Sequence, residues 1–145
     1  MNRPTRLATA TAVAASLLAI VGPAQATSPG IRIVKIHYAQ TGTNLDTEYI
    51  VFKNTTSRAR PITGWKIVSA PSTDNQYYVF PTTKIGAGHT LRLYTGSGTN
   101  APGVRYWHAG SPRWDNDGDK AILHNSLGMA VDTCQYAGGG TTAYC

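Results

Sequence analysis

Residues 119–136, DKAILHNSLGMAVDTCQY, contain two short stretches in which apolar and polar side chains alternate. The first stretch covers residues 119–125 and the second covers residues 130–136, and the NSLG segment between them favours a turn. An alternation with a period of two places the apolar side chains on one face of a β-strand. The segment therefore predicts two β-strands joined by a tight connection.

The same alternation recurs towards the N-terminus, and no window of about a dozen residues shows the apolar spacing of a helix face. Six further stretches have the length and the β-branched or aromatic content of strands. They are residues 31–38, 48–54, 62–69, 76–80, 89–95 and 104–108. The spacing predicts an all-β sandwich or barrel of about eight short strands, and nothing in it indicates the alternating strands and helices of a parallel sheet.

The N-terminus predicts a secretory signal peptide over residues 1–26. Arg3 and Arg6 precede an uncharged, largely apolar run over residues 7–21, and Ala24-Gln25-Ala26 has the small-x-small pattern of a cleavage site after Ala26. The run is shorter than the roughly 18–20 residues that a membrane-spanning helix needs, although a retained anchor is the alternative. Residues 27–145 are then expected to form one domain, with its core in residues 31–136 and no transmembrane segment.

Charge and cysteine content agree with an exported chain. Without Arg3 and Arg6 the chain holds eleven basic residues against seven acidic ones, and the basic residues are scattered. The two cysteines, Cys134 and Cys145, predict one disulfide. This bridge is expected to hold the glycine-rich tail, residues 137–145, which has no apolar pattern with which to pack itself.

The order of five motifs is similar to that of a known family. The motifs are EYIVFKN (48–54), ITGWKI (62–67), YVFP (78–81), KIGAGHTLRLYTG (84–96) and WDNDGDKAILHNSLGMAVDTCQY (114–136). Together they resemble the lamin tail domain in its secreted, actinobacterial-type form, over roughly residues 31–136. The resemblance implies an immunoglobulin-like β-sandwich, in agreement with the strand count.

The acidic segment behind Trp114 could be a metal site or a turn. A calcium loop starting at Asp115 would need a glycine at position 120 and a glutamate at position 126, where the chain has Lys120 and Ser126. Asp-Gly is also a strong turn signal. We therefore interpret the segment as a structural turn and expect no metal; its residues are Asp115, Asn116, Asp117, Gly118 and Asp119.

Catalytic patterns are absent from the sequence. It has no nucleophile elbow, and the four histidines lack metal-ligand spacing. A glycosidase needs two carboxylates that face each other across a cleft, and Glu48 and Asp132 are the candidates. Their spacing in the sequence does not give their distance in space. The chain is thus expected not to be an enzyme and to need no cofactor. Asn54-Thr55-Thr56 matches a glycosylation sequon, and we interpret Asn54 instead as a turn-capping residue.

The candidate binding segment is RYWHAGSPRW, residues 105–114. Aromatic rings beside arginines suit stacking on sugars or bases and the capture of anionic groups. The candidate residues are Arg105, Tyr106, Trp107, Arg113 and Trp114. The alternative is that Trp107 and Trp114 close the end of the sandwich.

These observations lead to a hypothesis about function. The chain is interpreted as a secreted, non-enzymatic binding or adhesion module for an anionic extracellular polymer, either cell wall or DNA. The alternatives are a small secreted hydrolase or inhibitor, and a protein–protein assembly module with a surface protein as its partner. Sequence alone does not choose among them.

Overall fold

The computed structural model describes residues 30–70 and 76–145. The predicted signal peptide with its cleavage position after Ala26 lies outside the described residues. Within the two described ranges, no helix is long and apolar enough to cross a membrane.

Two packed β-sheets form the body of the molecule, and the all-β prediction is confirmed. The strands are β1 Ile31–His37, β2 Tyr49–Asn54, β3 Arg60–Pro61, β4 Lys66–Ala70, β5 Tyr77–Val79, β6 Lys84–Ile85, β7 Thr90–Tyr94, β8 Val104–Tyr106, β9 Asp119–His124, β10 Ala130–Tyr136 and β11 Thr142–Tyr144. One sheet has the order β11-β1-β2-β7-β8, and the other has the order β10-β9-β4-β5. A ribbon of β3 and β6 lies beside them, and a single-turn 3-10 helix, Leu45–Thr47, precedes β2.

The core lies between the inward faces of the two sheets. Phe52 and Phe80 meet edge to face with ring centroids 5.3 Å apart. Around them pack aliphatic side chains from both sheets: Ile33, Ile36, Ile50, Ile67, Leu91, Leu93 and Leu123. Burial of this apolar surface is the main force that holds the sheets together.

A β-bulge interrupts β1. Ile33 pairs with Phe52 and Lys35 pairs with Val51, so Val34 is an extra residue in the ladder. The insertion lets both Ile33 and Ile36 face the core although three positions separate them. Lys35 consequently lies on the outward side of the sheet.

The edges of the two sheets are tied together where β1 meets β10. The Asp132 carboxylate accepts a hydrogen bond from the Ile33 backbone N–H at 2.7 Å and pairs with the Arg32 guanidinium at 3.1 Å. The predicted disulfide is confirmed: Cys134 in β10 is bonded to Cys145 at the end of the tail. A polar contact and a covalent bond thus join the two sheets across one side of the sandwich.

Part of the tail forms a β-strand, which the sequence did not predict. Residues 142–144 form β11, which pairs antiparallel with β1 and aligns Lys35 with Tyr144. The prediction that the tail has no packing of its own was therefore wrong. Strand pairing needs backbone groups rather than an apolar pattern, and the edge of β1 supplies them.

Two other local predictions need correction. The segment before Lys66 is a turn rather than the start of a strand, with Gly64 at a φ of 75° and the Trp65 N–H donating to the Ile62 carbonyl. In addition, β8 runs parallel to β7, aligning Tyr106 with Tyr94. The loop of residues 95–103 connects these two parallel strands and contains no helix.

Asn54 ends β2 as a buried structural residue. Its side-chain nitrogen donates to the carbonyl oxygens of Arg58, Ile85 and Gly86 at 2.7–3.0 Å, and its oxygen accepts from the Thr56 N–H at 3.0 Å. The interpretation of Asn54 as a turn cap is confirmed. Because this nitrogen is fully buried, attaching a glycan to it is incompatible with the fold.

Replacing Asn54 with alanine should destabilise the protein by about 2–4 kcal/mol, because buried carbonyl groups lose their donor. Urea unfolding followed by circular dichroism measures the change. Asn116→Ala, at an exposed position, is the control and should stay within about 0.5 kcal/mol of the wild type. Equal stability of the two variants would contradict the role given to Asn54.

Candidate functional site

The outward face of the five-stranded sheet combines basic and aromatic side chains. Strand pairing places Tyr144 beside Lys35 and brings Arg92 into the same row through Val51. The next row contains His37 and three tyrosines, one from each following strand. We call this surface the basic face; its members are Lys35, His37, Tyr49, Lys53, Arg92, Tyr94, Tyr106 and Tyr144.

The basic face carries no negative side chain of its own. The five strands β11, β1, β2, β7 and β8 contain no aspartate or glutamate, whereas they contain five lysines and arginines. Asp132, from the other sheet, neutralises Arg32 at one edge. The rest of the face presents an uncompensated positive charge to solvent.

Tyrosine rings support the cations of this face. The Arg92 guanidinium lies 4.4 Å from the centroid of the Tyr49 ring, and its NH1 donates to the Tyr94 hydroxyl at 2.9 Å. Lys35 lies between Tyr49 and Tyr144, at 5.3 and 5.6 Å from their centroids. A hydrogen bond with Tyr49 raises the pKa of Lys35, so its ammonium stays charged. The cations are therefore held in fixed positions while still accessible.

Arg105, a predicted binding residue, is used inside the fold. Its guanidinium donates to the Thr83 hydroxyl at 3.1 Å and to the carbonyls of Ala101 and Val104 at 2.7 and 2.8 Å. These bonds fix the loop that leads into β8. The prediction that Arg105 captures a ligand is thereby corrected, because its donors already have acceptors in the protein.

Tyr106 belongs to the basic face, and its ring is partly covered by neighbouring residues. It stacks on Tyr94 with centroids 5.3 Å apart and an interplanar angle of 17°. Gly98 also lies close to the ring, because an added Cβ there would stand only 2.4 Å from its nearest atom. The close approach of the loop to this ring requires a glycine at position 98.

Trp107, Arg113 and Trp114 come together at the end of the sandwich. Trp114 is 1% exposed, and Trp107 packs edge to face on it with centroids 6.2 Å apart. The Arg113 guanidinium lies 5.8 Å from the centre of the Trp107 ring. Trp114 thus has no ring face for a ligand, which corrects its assignment as a binding residue, whereas Trp107 and Arg113 retain partial exposure.

Glu48 organises the segment that carries these tryptophans. Its Oε1 accepts hydrogen bonds from the Thr95 hydroxyl at 2.6 Å and from the backbone N–H groups of Arg113 and Trp114 at 2.7 and 3.3 Å. Oε2 is buried and has no partner within the described structure. Burial raises the pKa of Glu48, and the three hydrogen bonds oppose this rise. The carboxylate therefore serves as an internal anchor.

Glu48 and Asp132 do not form a catalytic pair. Asp132 contacts Ile33, which pairs with Phe52, four residues along β2 from Glu48. At a rise of about 3.3 Å per residue the separation is roughly 13 Å, beyond the roughly 5–9.5 Å found between glycosidase carboxylates. The carboxylates proposed for the hydrolase alternative are thus apart, and Glu48 is fully buried.

The acidic segment forms a turn whose carboxylates accept hydrogen bonds from backbone N–H groups and from one hydroxyl. Asp115 Oδ1 accepts from the Asp117 N–H at 2.9 Å, and buried Asp119 accepts from the Ser69 hydroxyl at 2.8 Å. Gly118 has a φ of 134°, which other residues rarely adopt. Across residues 30–70 and 76–145, no group of three or more histidine, cysteine, aspartate or glutamate side chains could hold a metal ion.

Sequence reasoning missed most of the basic face. Lys35, Tyr49, Arg92 and Tyr94 come from three strands, and only the pairing register brings them together. A usable signal was present, since lysine, arginine and tyrosine occupy the positions that alternate with the apolar ones in these strands.

Glu48→Gln should reduce the dependence of stability on pH. Because the folded-state pKa is raised, Glu48 binds its proton more tightly in the folded state, and its contribution to stability falls as pH rises from about 4.5 through the raised value. Each unit of pKa difference corresponds to about 1.4 kcal/mol. The free energy of unfolding of the variant minus that of the wild type should thus become more positive from pH 4.5 to pH 7.5.

Urea unfolding at several pH values across this window measures the difference. Asp117→Asn, which removes an exposed carboxylate, controls for the change in net charge. A difference between Glu48→Gln and wild type that stays constant with pH, or that becomes more positive towards acid, would be inconsistent with the raised pKa.

Comparison with known proteins agrees with this architecture. The model of the Lamin Tail Domain family matches residues 24–138, a range that includes β1 to β10. No curated protein sequence matches the chain. The family has an immunoglobulin-like β-sandwich that serves as a binding or structural module. Because the match covers most of the chain, this protein is a member of the lamin tail domain family.

Proposed function

We propose that this protein is an exported, non-enzymatic module that binds an anionic extracellular polymer through the basic face. The observation that carries the proposal is the complete absence of aspartate and glutamate from the five strands that form this face. Lys35, Lys53 and Arg92 project from it. A surface with fixed cations and no competing carboxylates attracts polyanions over a distance of about a Debye length.

The ring contacts indicate which part of the polymer is recognised. Arg92 lies over Tyr49, and Tyr106 packs against Tyr94 and Gly98, so these rings already have partners within the protein. The cations resting on the rings remain available to phosphate or carboxylate oxygens. The ligand is therefore bound through its repeated anionic groups, as in sequence-independent binding.

Binding would proceed with little rearrangement of the face. The stems of Lys35 and Arg92 flank Val51, which is 9% exposed although it points outward, so both side chains are already extended over the sheet. Less side-chain freedom remains to be lost when an anion binds, which favours affinity. Tyr144, 79% exposed, adds an uncovered ring at the edge of the face.

Export is supported by the N-terminal sequence and by the disulfide. The signal-like pattern of residues 1–26 precedes the family match almost without overlap. A Cys134–Cys145 bridge is stable in oxidising surroundings outside the cytoplasm. With the motif order, these features support the secreted, actinobacterial-type branch of the family, and a cell-wall polymer or extracellular DNA as ligand.

Neutralising two cations of the basic face tests the proposal. Lys35→Gln with Arg92→Gln should weaken binding to a DNA duplex and to isolated cell walls on the order of 10- to 30-fold, because each exposed charge contact contributes up to about 1 kcal/mol. For DNA, the slope of log K against log salt should become shallower by about 2. Fluorescence anisotropy over a salt series measures both quantities.

The matched control is Lys66→Gln with Lys120→Gln on the outward face of the other sheet. Lys66 also lies over a tyrosine, Tyr77, at 5.3 Å, so net charge and local chemistry change alike. This control should bind like the wild type apart from a small long-range effect. Equal losses in both double variants would refute a localised site, and tight binding to neutral dextran would refute recognition of charge.

A further inference from the structure

A groove of about 430 Å³ opens at the end of the sandwich where β1 and β10 begin. Its apolar lining comes from Ile31, Pro61, Trp65 and Val131, and its basic lining comes from Arg32 and Arg60. We call it the Trp65 groove. Its volume falls within the range of about 300–1,000 Å³ that is usual for small-molecule sites.

The fold holds Trp65 firmly at this position. Its backbone N–H donates to the Ile62 carbonyl at 3.0 Å, and its carbonyl accepts from the Phe80 N–H at 2.9 Å. Part of the ring packs against the core while the rest lines the groove. Pro61 fixes the neighbouring backbone, because its ring restricts φ. The apolar wall is therefore preformed.

The groove lies at the positive end of a polarised molecule. The register of β1, β2 and β7 places Arg32 and Lys53 at this end, and the hydrogen bonds of Asn54 bring the β3–β6 ribbon beside them. This end carries five cations: Arg32, Lys53, Arg58, Arg60 and Lys84. The described carboxylates other than Asp132 lie at the opposite end: Asp46, Glu48, Asp115, Asp117 and Asp119.

The lining restricts the chemistry of the occupant. A purely apolar ligand would desolvate Arg60 without giving it a partner, which is costly. A bare anion would leave the tryptophan, proline and aliphatic wall unused. A ligand that fits both parts has one apolar ring face and one anionic group.

We propose that the Trp65 groove binds an anionic sugar unit, a pyranose ring that carries a carboxylate or a phosphate. The ring lies against Trp65, and the anionic group contacts the exposed Arg60 guanidinium. Asp132 already pairs with Arg32 at 3.1 Å, so Arg60 is the main charged contact. This site is separate from the basic face and does not depend on polymer binding there.

Tryptophan fluorescence with glucuronate, glucose 6-phosphate, glucose and inorganic phosphate tests the inference. The two charged sugars should change the emission and bind at least about tenfold more tightly than glucose or inorganic phosphate. Trp65→Phe should remove the change, because neither Trp107 nor Trp114 lines the groove. The tighter of the two charged sugars identifies the preferred anionic group.

Arg60→Gln should weaken binding of the charged sugars about tenfold or more and leave the weak binding of glucose unchanged. Arg113→Gln, which removes an arginine beside Trp107, is the matched control and should have no effect. Because Arg60 is exposed, the variant should fold like the wild type, and circular dichroism checks this. Glucose binding as tightly as glucuronate, phosphate binding as tightly as glucose 6-phosphate, unchanged affinity in Arg60→Gln, or no response to any sugar would overturn the proposal.

Discussion

The extra residue at Val34 determines which side chains of β1 face water. Side chains alternate along a strand, so without this bulge Lys35 would point to the core and Ile36 to solvent. Two backbone groups at the bulge have partners outside the β1–β2 pair: the Ile33 N–H donates to Asp132, and the Val34 carbonyl accepts from the Cys145 N–H at 3.3 Å. The bulge therefore joins the two sheets and the tail, and it also brings Lys35 into the basic face.

The two ends of the sandwich differ in how they are stabilised. At one end the buried Glu48 carboxyl group accepts hydrogen bonds from a hydroxyl and two backbone N–H groups and so fixes the segment of Trp107 and Trp114. At the other end Asn54 performs a comparable role with a neutral amide. The neutral anchor adds no carboxylate beside Arg58 and Arg60, whereas Arg32 at this end pairs with Asp132. The choice of anchor thus contributes to the charge asymmetry of the molecule.

Local patterns predicted the strands well, because alternation is a property of each segment and needs no knowledge of its neighbours. The hairpin of β9 and β10 could be predicted for this reason. The disulfide could be predicted from the cysteine count, and the turn at Asn54 from the residue type. Features set by distant partners were not: β11 forms because the edge of β1 is open, and Arg105 is internal because Thr83 and Ala101 lie beside it. The basic face was missed because register, which joins residues far apart in the chain, decides its composition.

The pairing of β1 with β11 also bears on the order of events during folding. Lys35 and Tyr144 meet across 109 positions of the chain, so the five-stranded sheet acquires its edge only when the last strand is present. Contacts of such long sequence separation slow folding, because loop closure precedes any gain from pairing. Pairing of β11 with β1, and with it the Cys134–Cys145 bridge at the end of the tail, is therefore expected to be among the last steps of folding.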